Sequence, residues 1–446
     1  MLDVNLFRND LEATTRRLTR KKVDRATIDE LASQLGERRR LTAEVDRVRA
    51  EINSLSKSIG QLMAKGQRDE AEQRKAEVAR AKERLPELER DLGALEQRID
   101  YILLRLPNLP ADDAPDGEGE ADNKVRRVHF RTPEGTPLED SEKVREYFRN
   151  RQTAPGGFAL RPHWELGAEL GIWDGERAAK VSGSMFAILR GEGARLLRAL
   201  VRLALDINGE RYEEILPPHL VRTETFTATG QLPKFEAEAY RTRDDDAWLI
   251  PTGEVPLMGL HMGEMLEEAD LPRRYMAYTV CFRREAGAAG KDTRGMQRLH
   301  EFHKVELVKL CTPGQVGAEF EGLVADACRP LELLGLPYRV VDLCTADLTF
   351  GSARTFDLEV YAPGVDRWLE VSSCGIYTDF QTRRGNIRYR PADGGKPVFC
   401  HAMNGSGLAT PRVWASIIEH YQQADGSVRV PEALADYMKV KEIRRR

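Results

Sequence analysis

The chain has 446 residues, a formal net charge of −4 and 41% hydrophobic residues. That length suits two or three domains, and the nearly balanced charge leaves any attraction to nucleic acid to local basic stretches. No run of about 18 apolar residues is present to span a membrane. The charged start MLDVNLFRND lacks a signal-peptide core, and the 6 scattered cysteines, with no CxxC pair, point to reduced thiols in a cytoplasm.

From about residue 29 to 103 the composition is Glu, Arg, Lys, Leu and Ala with almost no aromatics. Leu41, Val45, Val48, Ile52, Leu55, Ile59 and Leu62 recur at steps of four and three, and so do Val78, Ala81, Leu85, Leu88, Leu92, Leu95, Ile99 and Ile102. Both are heptad stripes. The short stretch Ala64-Lys65-Gly66-Gln67 between them requires the two helices to fold back antiparallel. Each helix should reach about 50 Å, with a kink at Pro86. Such a hairpin serves as a dimerisation rod, a strut or an arm around an elongated partner, and heptads by themselves favour the first.

Residues 106–127 are rich in Pro, Asp and Gly and read as a linker. Beyond it, helices are expected at 192–208 and 313–334. Strands are expected at 247–250, 278–283, 297–310, 337–342, 355–361 and 368–372. Hairpin-linked strands with helices to the side make an α+β domain on an antiparallel sheet. No GxxxxGK[ST] loop or strand–GxGxxG–helix unit is present, which excludes a P-loop or dinucleotide fold.

The segment 281–306, CFRREAGAAGKDTRGMQRLHEFHKVE, carries the most chemistry. It reads as two strands joined by a loop containing Gly287, Gly290, Lys291, Arg294 and Gly295. Period-two alternation puts Arg298, Phe302 and Glu306 on one face of the second strand, and Arg283 and Glu285 together on the first. Arginines clamp polyphosphate, a ring stacks on a base and a carboxylate holds an amine. A solvated face laced with ion pairs is an equal reading of the hairpin alone. His300 and His303, three apart on a strand, face opposite ways and make no metal site. Four further stretches stand out: Thr252-Gly253-Glu254, Glu370-Val371-Ser372-Ser373, Asn404-Gly405-Ser406-Gly407 and Arg412. Singly each is ordinary loop or cap chemistry.

Their joint order, TGE, FRRE–loop–RxxxF…E, ESS and NGSG…R, strongly resembles class II aminoacyl-tRNA synthetases, and within them the seryl-tRNA synthetase family. MLDVNLFRND, PHWELG, RAAKVSGS, TGQLPKFE, HKVELVK, DFQTRR and QQADGSVRVPEAL extend the resemblance over nearly the whole chain. It implies a tRNA-binding domain over 1–110 with the hairpin as its arm, overriding the dimerisation reading, and a catalytic domain over 111–446 that begins with a linker at 111–127. It implies ATP-dependent activation of L-serine and transfer to tRNA(Ser), with tRNA(Sec) open as a further acceptor. The long variable arm would lie on the hairpin and the acceptor end at the active site. ATP contacts are implied for Arg283, Arg284, Glu285, Arg298, Leu299, Phe302, Glu370, Val371, Ser372, Ser373 and Arg412, and Mg²⁺ contacts for Glu370 and Ser373. Arg283, Glu285, Arg298 and Arg412 carry catalysis. Serine contacts are implied for Thr252, Gly253, Glu254, Arg283, Glu306, Asn404 and Ser406. Pro218 matches the motif that builds the family's homodimer.

Several positions depart from the family pattern: Arg211, Met258-Gly259, His303, the stretch CTADLTFGSA and Gly375-Ile376. These are expected behind the contact residues. A specialised paralogue that activates serine or an analogue for another acceptor, or for inhibitor resistance, and a non-catalytic RNA-binding protein are the alternatives.

Overall fold

The computed structural model describes residues 1–287 and 293–445; Gly290 and Lys291 of the basic loop lie outside them. The chain divides into two compact units, Leu2–Leu106 and Pro107–Arg446 together with Met1.

In the first unit, helix α1 (Arg25–Ala64) and helix α2 (Arg68–Leu103) form the antiparallel hairpin. Asp24 caps α1 by accepting a hydrogen bond from the Ala26 amide, one of the donors a helix start leaves without a partner. Gly66 adopts φ +77° in the turn, a conformation glycine takes without steric cost. Leu41, Val45 and Val48 of α1 and Val78, Ala81, Ile99 and Ile102 of α2 are buried, as heptad seams require. Arg49–Glu89 (2.7 Å) and Arg84–Glu44 ion pairs tie the helices across the seam. The 40 residues of α1 give it a length of about 60 Å, longer than expected because the helix begins four residues early. Pro86 lies within α2, whose helical backbone continues on both sides.

The second unit is built on a nine-stranded sheet. In chain order its strands are β1 (Lys124–Arg131), β2 (Pro137–Leu138), β3 (Glu213–Glu214), β4 (Arg273–Phe282), β5 (Glu301–Cys311), β6 (Tyr338–Asp342), β7 (Arg354–Ala362), β8 (Arg367–Thr378) and β9 (His401–Ala409). Their order across the sheet is β2-β1-β6-β7-β8-β9-β5-β4-β3. Neighbours pair antiparallel except β3 with β4. Residues 106–127 are not a free linker: the Ala111 amide bonds the Ala353 carbonyl at 2.8 Å, and β1 starts at Lys124 and pairs with β6.

Three helices, α3 (Glu192–Asn208), α4 (Val316–Leu333) and α5 (Thr410–His420), cover one face of the sheet. Leu196, Leu200, Leu323, Leu331, Trp414 and Ile418 pack there against Val305 and Leu307 of β5 and Leu358 and Val360 of β7. Along β5 the odd-numbered Val305 and Leu307 therefore enter this core, and the even-numbered Lys304 and Glu306 face the other way. Among the described residues no helix is long and apolar enough to cross a membrane.

Candidate active site

On the face of β5, β8 and β9 opposite that core, where the short helices Glu254–Gly259 and Phe380–Arg384 also pack, lies a cavity of about 540 Å³. Of the residues singled out in the sequence, Thr252, Glu254, Arg283, Glu285, Arg298, Glu306, Glu370, Ser373, Asn404 and Ser406 line it. Segments far apart in the chain converge because the sheet registers them: Ser406 sits directly across from Glu306, and Asn404 across from Gly375.

The floor is a closed polar network. Lys304 Nζ lies 2.5 Å from Glu306 Oε2, and their side chains are only 8% and 2% exposed. The same ammonium donates to Thr252 Oγ1 at 2.9 Å, and that hydroxyl donates to Glu306 Oε2 at 3.1 Å. The Glu254 amide also bonds Thr252 Oγ1, at 3.2 Å. A hydroxyl has one donor and two acceptor sites, so Thr252 has all three engaged. Removing one partner of such a buried pair costs about 3–5 kcal/mol. Asn404 Nδ2 is buried and has no hydrogen-bond partner among the described residues, a donor waiting for an oxygen. Gly253 brings the backbone close: a Cβ there would stand 3.1 Å from Glu306 Cβ and 3.2 Å from Thr279 Oγ1.

Glu254 is buried beside this network, and burial raises its carboxyl to about 7. A 2.5 Å hydrogen bond from Gln381 Nε2 opposes that rise. Burial, reinforced by the Glu254 charge, also pushes the Tyr377 phenol up.

The rim is cationic. Arg283, just past the end of β4, donates to the Pro251 carbonyl at 3.3 Å, and its guanidinium lies 5.1 Å from the Phe302 ring. Arg298 pairs with Glu285. Arg412, in the first turn of α5, does not itself line the cavity but reaches the carbonyl of Glu370, which does, and lies 3.5 Å from its carboxylate. In this arrangement Arg298 and Arg412 rest on carboxylates, and Arg283 rests on a backbone carbonyl and a ring face.

Alternation explains only part of this hairpin. β5 begins at Glu301 and β4 ends at Phe282, so Arg298, Arg283 and Glu285 lie outside the strands. Glu285 has φ +50°, a turn conformation that ends any strand alternation. Phe302 and Leu299 line a neighbouring cavity of about 430 Å³ along with His303, which bonds the Tyr278 hydroxyl at 2.6 Å. Val371 and Ser372 are buried in the sheet, where Ser372 Oγ bonds the Ser406 carbonyl at 2.7 Å, so their side chains do not reach the cavity. Arg284 is exposed, and its amide bonds the Glu238 carbonyl. Arg211, Met258, Gly259, His303, Gly375 and Ile376 do not line the main cavity, but Thr349, Phe350 and Gly351 from CTADLTFGSA do. That departure is part of the wall and does not lie behind it.

Lys304, Tyr377 and Gln381 join the site without having been singled out. A lysine two residues before Glu306 on a strand shares its face, so Lys304 was within reach of alternation. Tyr377 and Gln381 carried no such signal.

Among the described residues no three or more His, Cys, Asp or Glu side chains gather as a metal cluster. Glu370 and Ser373 supply two hard oxygens at the cavity wall, and Asp357, directly across from Ser373 and interacting with its hydroxyl, has a buried Oδ1 with no close hydrogen-bond partner among the described residues. A few protein oxygens of this kind suit Mg²⁺, which keeps waters and takes its other ligands from phosphate.

A helix-backed antiparallel sheet carrying an arginine-rimmed, carboxylate-floored cavity suits a class II aminoacyl-tRNA synthetase, and the family match places the chain in that class. Residues 234–421 match the tRNA synthetase class II core domain (G, H, P, S and T), and residues 1–110 match the seryl-tRNA synthetase N-terminal domain. The serine–tRNA ligase of Thermotoga neapolitana is 45% identical over 440 residues, 98% of both chains. That of Dehalococcoides mccartyi is 44% identical over 446 residues, 100% of both. The crystal structure of seryl-tRNA synthetase from Pyrococcus horikoshii complexed with ATP superposes with a TM-score of 0.91 at 34% identity, covering 100% of each chain. The chain belongs to the seryl-tRNA synthetase family, whose members are ATP-dependent serine–tRNA ligases.

Proposed function

We propose that the cavity activates L-serine with ATP and passes the seryl group to the 3′ end of tRNA(Ser). The observation that carries this reading is the pairing of a buried carboxylate–hydroxyl floor with an arginine rim in one cavity. Glu254 takes the α-ammonium of serine. Glu306, Asn404 and Ser406 take its hydroxyl, and Arg283 takes its carboxylate and the α-phosphate of ATP. Arg298, Arg412 and Glu285 bind the rest of the nucleotide, with Phe302 and the backbone of Leu299, Val371 and Ser372 along its edge.

The serine carboxylate oxygen attacks the α-phosphorus in line and pyrophosphate leaves. The terminal ribose hydroxyl of tRNA then attacks the seryl carbonyl and AMP leaves. No side chain needs to act as nucleophile: the arginines align the reactants and stabilise the growing charge. Glu370 and Ser373 would hold Mg²⁺, which supplies charge neutralisation on the phosphates when bound.

The N-terminal hairpin takes the long variable arm of the tRNA, reading shape more than sequence. A homodimer fits the exposed Leu216 (85%) and Leu220 (50%), which flank Pro217 and Pro218 next to the edge strand β3. Six free, buried cysteines suit a cytoplasmic location.

Amino-acid-dependent ATP–pyrophosphate exchange tests the reading. Serine should support exchange, and Glu306→Ala should weaken serine activation about 100-fold in a folded protein, the scale of a lost charge-assisted hydrogen bond. Exchange with no amino acid leaves the RNA-binding reading. Exchange without tRNA charging points to the paralogue with another acceptor.

A further inference from the structure

Two buried carboxylates, Glu254 and Glu306, line the same cavity, and an amino acid brings one ammonium to it. Nothing in the carboxylates themselves decides which takes the ammonium and which the side-chain hydroxyl. The asymmetry comes from Lys304. Its ammonium lies 2.5 Å from Glu306 Oε2 and donates to Thr252 Oγ1 at 2.9 Å. Thr252 returns its proton to the same Oε2 at 3.1 Å. Glu306 Oε2 is thus doubly engaged, and Oε1 has no hydrogen-bond partner among the described residues. Glu254 holds only the neutral amide of Gln381 at 2.5 Å.

We propose that Lys304 is a specificity-determining positioning residue: by neutralising Glu306 it directs the substrate ammonium to Glu254 and reserves Glu306 Oε1 for the substrate hydroxyl. This rests on the proposed activation of serine. A second ammonium at Glu306 would face the Lys304 charge across a carboxylate already matched, whereas a neutral hydroxyl donates to Oε1 without that repulsion. Alanine leaves Oε1 and the orphan Asn404 Nδ2 desolvated and without partners, the arrangement that discriminates most strongly against an analogue lacking the hydroxyl. Without Lys304 both carboxylates compete for the ammonium, and the amino acid binds in two orientations, one of them unreactive.

The test is ATP–pyrophosphate exchange with Lys304→Gln and with the double variant Lys304→Gln/Glu306→Gln, alongside the unmodified protein. Lys304→Gln should raise the KM for serine at least about tenfold, leave the KM for ATP within about twofold, and reduce the preference for serine over alanine at least about tenfold. The double variant, with one carboxylate left for the ammonium, should regain part of the serine KM without regaining the preference over alanine. Equal changes in the serine and ATP constants, or an unchanged preference, would overturn the proposal. Loss of the folded state in both variants, read by thermal melting, would also overturn it, because the ammonium would then serve the core. No serine-dependent exchange by the unmodified protein would instead refute the activation reading.

Discussion

Burial is the dominant influence on Glu254, whose carboxyl is raised from 4.5 to about 7. The sign of the consequence follows. Between those two values the folded protein keeps a proton that the unfolded chain has released, so this residue withdraws stability as pH rises through the window and changes nothing above it. Ligand binding runs the opposite way, because only the ionised form attracts the serine ammonium. The KM for serine should fall as pH rises from about 6 to about 8. Glu254→Gln should flatten that profile, and Gln381→Met, which removes the opposing hydrogen bond, should move it to higher pH. Steady-state exchange kinetics across pH check both. Glu254 was legible as part of a short TxE string, but its environment was not: Gln381 lies 127 positions away in the chain, and no local pattern announces such a partner.

At the scale of the element, β5 does two jobs on alternate residues. Leu307 is fully buried against the helices, while Glu306 beside it faces the cavity. Leu307→Ala should cost about 2–5 kcal/mol of stability, measured by urea denaturation, and leave the serine KM within about twofold. Period two places Glu306 on the cavity side because β5 is regular there. It misplaced Arg298 because the strand starts three residues later, where backbone pairing between β4 and β5 stops. Strand ends depend on partners distant in sequence, whereas the hairpin helices, stabilised by contacts that repeat every heptad, were legible but for the four residues by which the first starts early.

For the whole molecule, the division at residue 106 suggests separable tasks. Every residue lining the cavity lies beyond it. Deleting about residues 29–103 should spare serine-dependent ATP–pyrophosphate exchange and abolish tRNA charging. Filter-binding assays of charging beside exchange assays decide the matter, and loss of both would refute the division. The antiparallel α+β architecture could be read from hairpin-linked strands, but the order in which nine of them lie side by side could not, since β1 pairs with β6 across most of the domain.

The alternating roles along β5 also constrain how this gene can vary. Between Lys304 and Leu307, a substitution damages either folding or chemistry according to the parity of the position, whereas Val308 and Leu310 beyond them are buried in a second apolar cluster. A single-codon insertion or deletion would exchange the two sets at once, turning Lys304 and Glu306 into the apolar interior and presenting leucine and valine to the substrate. A mutational scan should therefore show phenotypes that alternate from Lys304 to Leu307, and the strand should accept no change in length.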